Sequence, residues 1–143
     1  MAIYITERAA LEIRKLMAAE NLDPASVFLR MGVAGGGCSG LSYNKLEWDR
    51  VDGELGEKDI LFNTAILETD EKVGNRFRYF KEGEKSVDAG PVPCLIVIDK
   101  KSYIYLNGAT LDYVSQGLTG GFTFINPNAK SSCGCGSSFN PQN

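Results

Sequence analysis

The stretch that most limits what this chain can become lies near its C-terminal end: Ser131-Ser132-Cys133-Gly134-Cys135-Gly136-Ser137-Ser138-Phe139. Two thiols one residue apart, with glycine between and after them, can swing together at little steric cost, because glycine tolerates positive φ. Two thiolates on one tetrahedral metal sit roughly 3.7 Å apart, given metal–sulfur bonds of about 2.3 Å. An extended strand would hold residues i and i+2 about 6.5 Å apart. The glycines therefore suit a pair that closes on something. A third thiol, Cys38, lies in Gly35-Gly36-Gly37-Cys38-Ser39-Gly40, again among residues that leave backbone and sulfur accessible. Three cysteines in glycine-rich stretches point to soft-metal or redox chemistry, not to core packing.

The chain has 143 residues and no histidine. That absence removes Ser-His and Cys-His catalytic pairs and every imidazole metal site, leaving thiolate and carboxylate as ligands. A length of 143 residues fits one domain that buries about two-thirds of its unfolded surface. A net charge of −3 gives no electrostatic case for nucleic acid. No apolar run approaches the ~18–20 residues of a membrane span. The N-terminal residues lack the basic start and apolar stretch of a secretory signal, so a cytoplasmic, reducing location is expected. There, clustered cysteines act more often as ligands or redox groups than as structural disulfides.

Taken in order, residues 6–20 predict an amphipathic helix, with Thr6 as N-cap and Ala9, Ile13, Leu16 and Met17 on one face. Asn21 and Asp23-Pro24 end it. Val27 to Val33 alternates as a strand, and Leu41 to Trp48 returns, making a hairpin with Cys38 at its mouth. No Lys-Ser/Thr pair follows the glycines, so a phosphate-binding loop is not supported. Residues 49–88 hold 11 acidic and 7 basic side chains, 18 of the 33 in the chain. Within this stretch Ile60–Leu67 and Arg76–Lys81 read as strands, and residues 49–91 are expected to form a solvated, charge-rich hairpin excursion. Cys94 to Ile98 predicts a buried strand, which Cys94 begins as a small buried hydrophobe. Asp99 caps a short helix through Leu106, closed by Asn107-Gly108. Leu111–Ser115 and Phe122–Ile125 read as strands about a turn at Gly117–Gly121. Residues 131–143 read as a flexible tail carrying the cysteine pair, attached to a core of residues 1–130.

The Cys-x-Cys spacing favours a metal or cluster site over a redox pair, which usually shows Cys-x-x-Cys. Three ligands are too few, because structural zinc and most iron–sulfur clusters want four. A carboxylate, water, small thiol or second chain must fill the gap. An incomplete, accessible site suits handing a cargo on better than storing it.

Three ordered motifs now bring a family into view. Gly36-Gly37-Cys38-Ser39-Gly40 with Tyr43 resembles the first motif of the A-type iron–sulfur carriers, the group of IscA, SufA and HesB. Asp99, Ser102, Tyr105-Leu106-Asn107-Gly108 and Leu111-Asp112-Tyr113 resemble its central segment. Gly121-Phe122, Asn126-Pro127-Asn128-Ala129 and Cys133-Gly134-Cys135-Gly136-Ser137-Ser138-Phe139 resemble its C-terminal signature. The resemblance covers residues from about 3 to 48 and from about 92 to 139. The stretch between Trp48 and Val92 is about 20 residues longer than that pattern expects.

The resemblance implies a mostly β (α+β) fold, a compact barrel-like sandwich of short mixed strands with an N-terminal amphipathic helix and a second short helix. It implies a homodimer or tetramer that binds a [2Fe-2S] or [4Fe-4S] cluster, or mononuclear iron, between chains. Cys38, Cys133 and Cys135 take the positions of the family's cluster ligands, and sharing between chains supplies the missing ligand. A scaffold or glutaredoxin-type donor would load the cluster, and apo iron–sulfur proteins would receive it. Such transfer needs no acid or base, so a carrier and not an enzyme is expected. The rival readings are a structural zinc or iron module and a thiol–disulfide protein using Cys133 and Cys135.

Overall fold

The computed structural model describes residues 2–24, 26–35, 41–43, 46–50, 56–84, 89–90, 92–117, 119–127, 129–132 and 138–141. The chain starts with strand β1 (Ile3–Thr6), which runs directly into helix α1 (Glu7–Ala19). Thr6 closes the strand and caps the helix, its hydroxyl accepting the Ala9 N–H at 3.2 Å. Ala9, Ala10, Ile13 and Met17 form the buried face. Leu16 does not join them and stays 45% exposed, because its position lies at the rim of that stripe. Asn21, with φ at 56°, ends the helix turn where a sequence break was expected.

Next come β2 (Val27–Met31), β3 (Val33–Gly35), β4 (Leu41–Tyr43) and β5 (Glu47–Arg50). The expected Val27–Val33 strand is therefore two strands, divided at Gly32, that serve different sheets. The hairpin persists across the division: β2 pairs β5, and β3 pairs β4. From Arg30↔Glu47 to Val33↔Tyr43 the outgoing chain takes three steps and the returning chain four. One extra residue on one side bends such a ladder, which is how a single hairpin can feed two sheets.

The rest comprises β6 (Asp59–Asp70), β7 (Gly74–Lys81), β8 (Leu95–Asp99), α2 (Lys100–Leu106), β9 (Thr110–Gln116), β10 (Thr119–Ile125), β11 (Ala129–Ser132) and β12 (Ser138–Pro141). One sheet has the order β10-β9-β1-β7-β6-β8-β2-β5 and the other β11-β12-β4-β3. The larger sheet is mixed, with β1 parallel to β9 and β2 parallel to β8. The expectation of a mostly β fold of mixed strands with two helices holds.

Three expectations change. The charge-rich stretch is not an excursion, since β6 and β7 sit in the middle of the larger sheet. Phe62, Ala65 and Tyr79 from this stretch belong to the same core as Ile3, Ile5, Ile96 and Leu111. On β7 Arg76 and Arg78 alternate with Phe77 and Tyr79, and on β6 a bulge sets Phe62 and Ala65 three residues apart, so counting charges over 40 residues hid the apolar face. The β9–β10 turn is shorter than Gly117–Gly121, because Gly117 (φ 63°) follows β9 directly and Gly120 and Gly121 lie within β10. Gly120 leaves room for the Tyr113 side chain, whose hydroxyl end a Cβ there would displace. The tail is not unstructured throughout, since β11 pairs β12 and β12 pairs β4. Short polar residues carry no apolar pattern, yet their backbone groups pair as well as any others.

Candidate functional site

Cys38, Cys133 and Cys135 lie outside the described residues, but the strands on either side of them are placed. Gly35↔Leu41 is the last pair of β3 and β4 before the stretch that holds Cys38. Ser132↔Phe139 brackets the stretch that holds Cys133 and Cys135. The two hairpins then join, because β12 pairs β4 at Ser138↔Ser42 and Phe139↔Leu41. Leu41 and Ser138, each the third residue beyond Cys38 and Cys135 respectively, start neighbouring antiparallel strands one step out of register. With strands ~4.8 Å apart and a rise of ~3.3 Å, those two residues are roughly 6 Å from each other.

Helix α2 holds the approaches to both stretches. Asp99 caps it, its carboxylate accepting the Ser102 N–H at 3.0 Å. The Ser102 hydroxyl, itself buried, accepts the Val33 N–H at 3.0 Å, at the start of β3. At the other end the Asn126 side-chain amide donates to the Tyr105 carbonyl at 2.9 Å, just ahead of β11. Gly108 (φ 83°) turns the chain beneath Pro127, whose Cγ would lie 3.4 Å from a Cβ at that position. The Asn107 side chain accepts from the Ala2 N–H at 3.2 Å and from the Tyr103 hydroxyl at 3.1 Å, fixing the helix end to the N-terminal strand. The residues that carry the family resemblance here thus have structural work. Asp99 was legible as a cap, whereas no local pattern disclosed that Ser102 and Asn126 bind distant backbone.

Asp112 is the other member of that central segment with a defined role. It is 3% exposed and accepts from the Thr6 hydroxyl at 2.7 Å, Arg8 Nε at 2.7 Å and the Tyr113 N–H at 2.8 Å. Burial pushes its pKa up, but the bonds from Arg8, Thr6 and the Tyr113 N–H outweigh that and leave it below the ordinary carboxylate value. A depressed carboxylate contributes stability above its unfolded pKa of about 3.9, and the contribution is lost as pH falls through the lower folded value. Asp112→Asn is therefore expected to lower stability by about 1–3 kcal/mol at pH 7. An asparagine oxygen still accepts from the Thr6 hydroxyl and the Tyr113 N–H, so the loss is that of the charge assistance to those bonds, with Arg8, 59% exposed and screened, contributing little. Urea midpoints of parent and variant should begin to converge as the pH falls below about 3.9 and should meet once it is below the folded value.

Cys94 is 1% exposed, as its apolar setting predicted. Burial pushes its thiol pKa up to about 12, although the Tyr79 hydroxyl 4.0 Å away and the Arg14 charge pull the other way. The Tyr79 hydroxyl donates to the Cys94 carbonyl at 2.9 Å. A thiol enclosed in apolar surroundings in this way is an inert structural group. Among the described residues, no three Cys, Asp or Glu side chains gather as a metal site. No helix among them is long and apolar enough to cross a membrane.

Residues 79–137 match the family described as iron-sulphur cluster biosynthesis. The chain is 37% identical over 137 residues to the uncharacterized protein SufA of Bacillus subtilis (strain 168), covering 96% of this chain and 87% of that one. It is 37% identical over 140 residues to the iron-binding protein IscA of Yersinia enterocolitica, covering 98% and 99%. Escherichia coli SufA, involved in biosynthesis of iron–sulfur clusters, superposes with a TM-score of 0.53 at 28% identity, over 94% of this chain and 89% of that one. A crystal structure of IscA with the [2Fe-2S] cluster superposes with a TM-score of 0.60, over 97% of both chains at 22% identity, and supports the fold. From near-complete coverage at this identity, the chain belongs to the iron–sulfur cluster biosynthesis family of IscA and SufA.

Proposed function

We propose that this chain is a carrier that holds an iron–sulfur cluster, or iron, through Cys38, Cys133 and Cys135 and passes it to apo-proteins without acting as an enzyme. The observation that supports this most is the pairing of β4 with β12, the two strands that leave the cysteine-bearing stretches. Three peptide steps, ~10 Å at full extension, separate Cys38 from Leu41 and Cys135 from Ser138, enough for the thiolates to meet across the small sheet. The donor set fits the cargo, because thiolates are the ligands that iron–sulfur clusters take and no histidine competes.

Three thiolates leave the fourth position to a second copy of this chain, so a dimer or tetramer completes the site. The cargo arrives from a scaffold or glutaredoxin-type donor and leaves by ligand exchange. In each exchange a client thiol loses its proton as its sulfur binds iron, and the departing carrier thiolate takes up a proton. Oxidation states are unchanged. Thiolates bind only when deprotonated, so affinity falls as the pH is lowered. The reducing cytoplasm, where these thiols stay free, is the compartment that suits it. The test is transfer from the loaded chain to an apo-ferredoxin, with retention of the cluster by the carrier as the opposing result.

A further inference from the structure

The geometry points to Ser102 and Asn126 as positioning residues that make α2 a common clamp on the two cysteine-bearing stretches. This rests on the carrier reading above. Ser102 and Tyr105 stand three residues apart, within one turn of α2, so their polar groups move as one unit. From that turn, Ser102 Oγ holds the Val33 N–H, five residues before Cys38. From the same turn, the Tyr105 carbonyl holds the Asn126 amide, seven residues before Cys133. The last-turn carbonyls of a helix have no amide partner within it, so Asn126 answers a need that the helix end creates.

The clamp does not stand alone. Pro127 lies against Gly108 immediately after the helix, in the same connection that Asn126 begins. α2 packs on β8 of the larger sheet and on β3 of the smaller one, so the clamp is tied to the main core. Ser102 is 3% exposed, and the Asp99 carboxylate fixes its backbone N–H while its hydroxyl accepts from Val33. The β4–β12 ladder ties the two stretches together on their C-terminal sides. α2 ties them on their N-terminal sides. The described residues on both sides of each stretch are therefore referenced to one frame. Outer partners that orient ligands change metal affinity by ~10–100-fold when removed.

The test uses the full chain with spin labels on Cys38 and Cys135, in a Cys133→Ser background diluted with unlabelled chain. Pulsed electron spin resonance then reads the label separation with no cluster present. Ser102→Ala and Asn126→Ala should each broaden the distance distribution about twofold. With all three cysteines retained, each variant should surrender a reconstituted cluster to a chelator about tenfold faster, in keeping with the loss of an outer partner. A distribution superimposable on the parent's would overturn the proposal, even if the melting temperature fell, since a purely structural role lowers stability without moving the labels. If Ser102→Ala does not fold, Asn126→Ala decides, because it sits outside the helix on a partly exposed connection. The carrier reading fails separately, if Cys38→Ser keeps a full cluster, and the label distances still judge the clamp.

Discussion

Serine at any one of positions 38, 133 or 135 is expected to abolish stable cluster binding, cutting cluster absorbance per chain by more than about tenfold. Even partners behind the ligands of a metal site cost ~10–100-fold when changed, and losing a thiolate itself costs more. A serine hydroxyl keeps the shape of the side chain but stays protonated, so it cannot supply the soft anionic donor that a cluster takes. Cys94→Ser should leave the absorbance unchanged. Its thiol is enclosed, with its pKa pushed up to about 12. Its effect should be a modest loss of stability from a hydroxyl placed in an apolar pocket. Equal loss of cluster at Cys94 would break the assignment of roles.

Phe62→Ala, in the charge-rich stretch, should destabilise the chain by about 3–5 kcal/mol. Phe62 is fully buried, and its ring lies 5.3 Å from that of Tyr103 on α2. The midpoint of thermal unfolding should fall by roughly 10 °C or more. Leu67→Ala, farther along the same strand but 51% exposed, should cost less than about 1 kcal/mol. The contrast tests the central place of β6 and β7. Were the stretch an appendage, the two substitutions would behave alike and both would be mild.

How much of this was legible depends on the range of the interaction. Thr6 and Asp99 announce themselves as caps because the groups they satisfy are three residues away. Cys94 announces itself by the apolar run beside it. The cysteine stretches stand out because glycine and thiol are an unusual combination, and the three ordered motifs identify the family. The bond from Val33 to Ser102 spans 69 residues and that from Thr6 to Asp112 spans 106, and neither leaves a local pattern. The division of one apparent strand at Gly32 was hidden because the alternation continues across it, from Val27 through Leu29 and Met31 to Val33. The order in the tail was hidden for a different reason. β12 is held by backbone pairing to β4, and composition records side chains only.

Anaerobic reconstitution with iron and sulfide tests the central claim most directly, followed by absorption and Mössbauer spectra and then mixing with an apo-ferredoxin. The account expects thiolate-to-iron charge-transfer bands that leave the carrier and reappear in the ferredoxin, with the spectra giving the cluster type. A colourless chain that holds only zinc, or a cluster that never moves to the ferredoxin, would contradict it and favour a structural metal module.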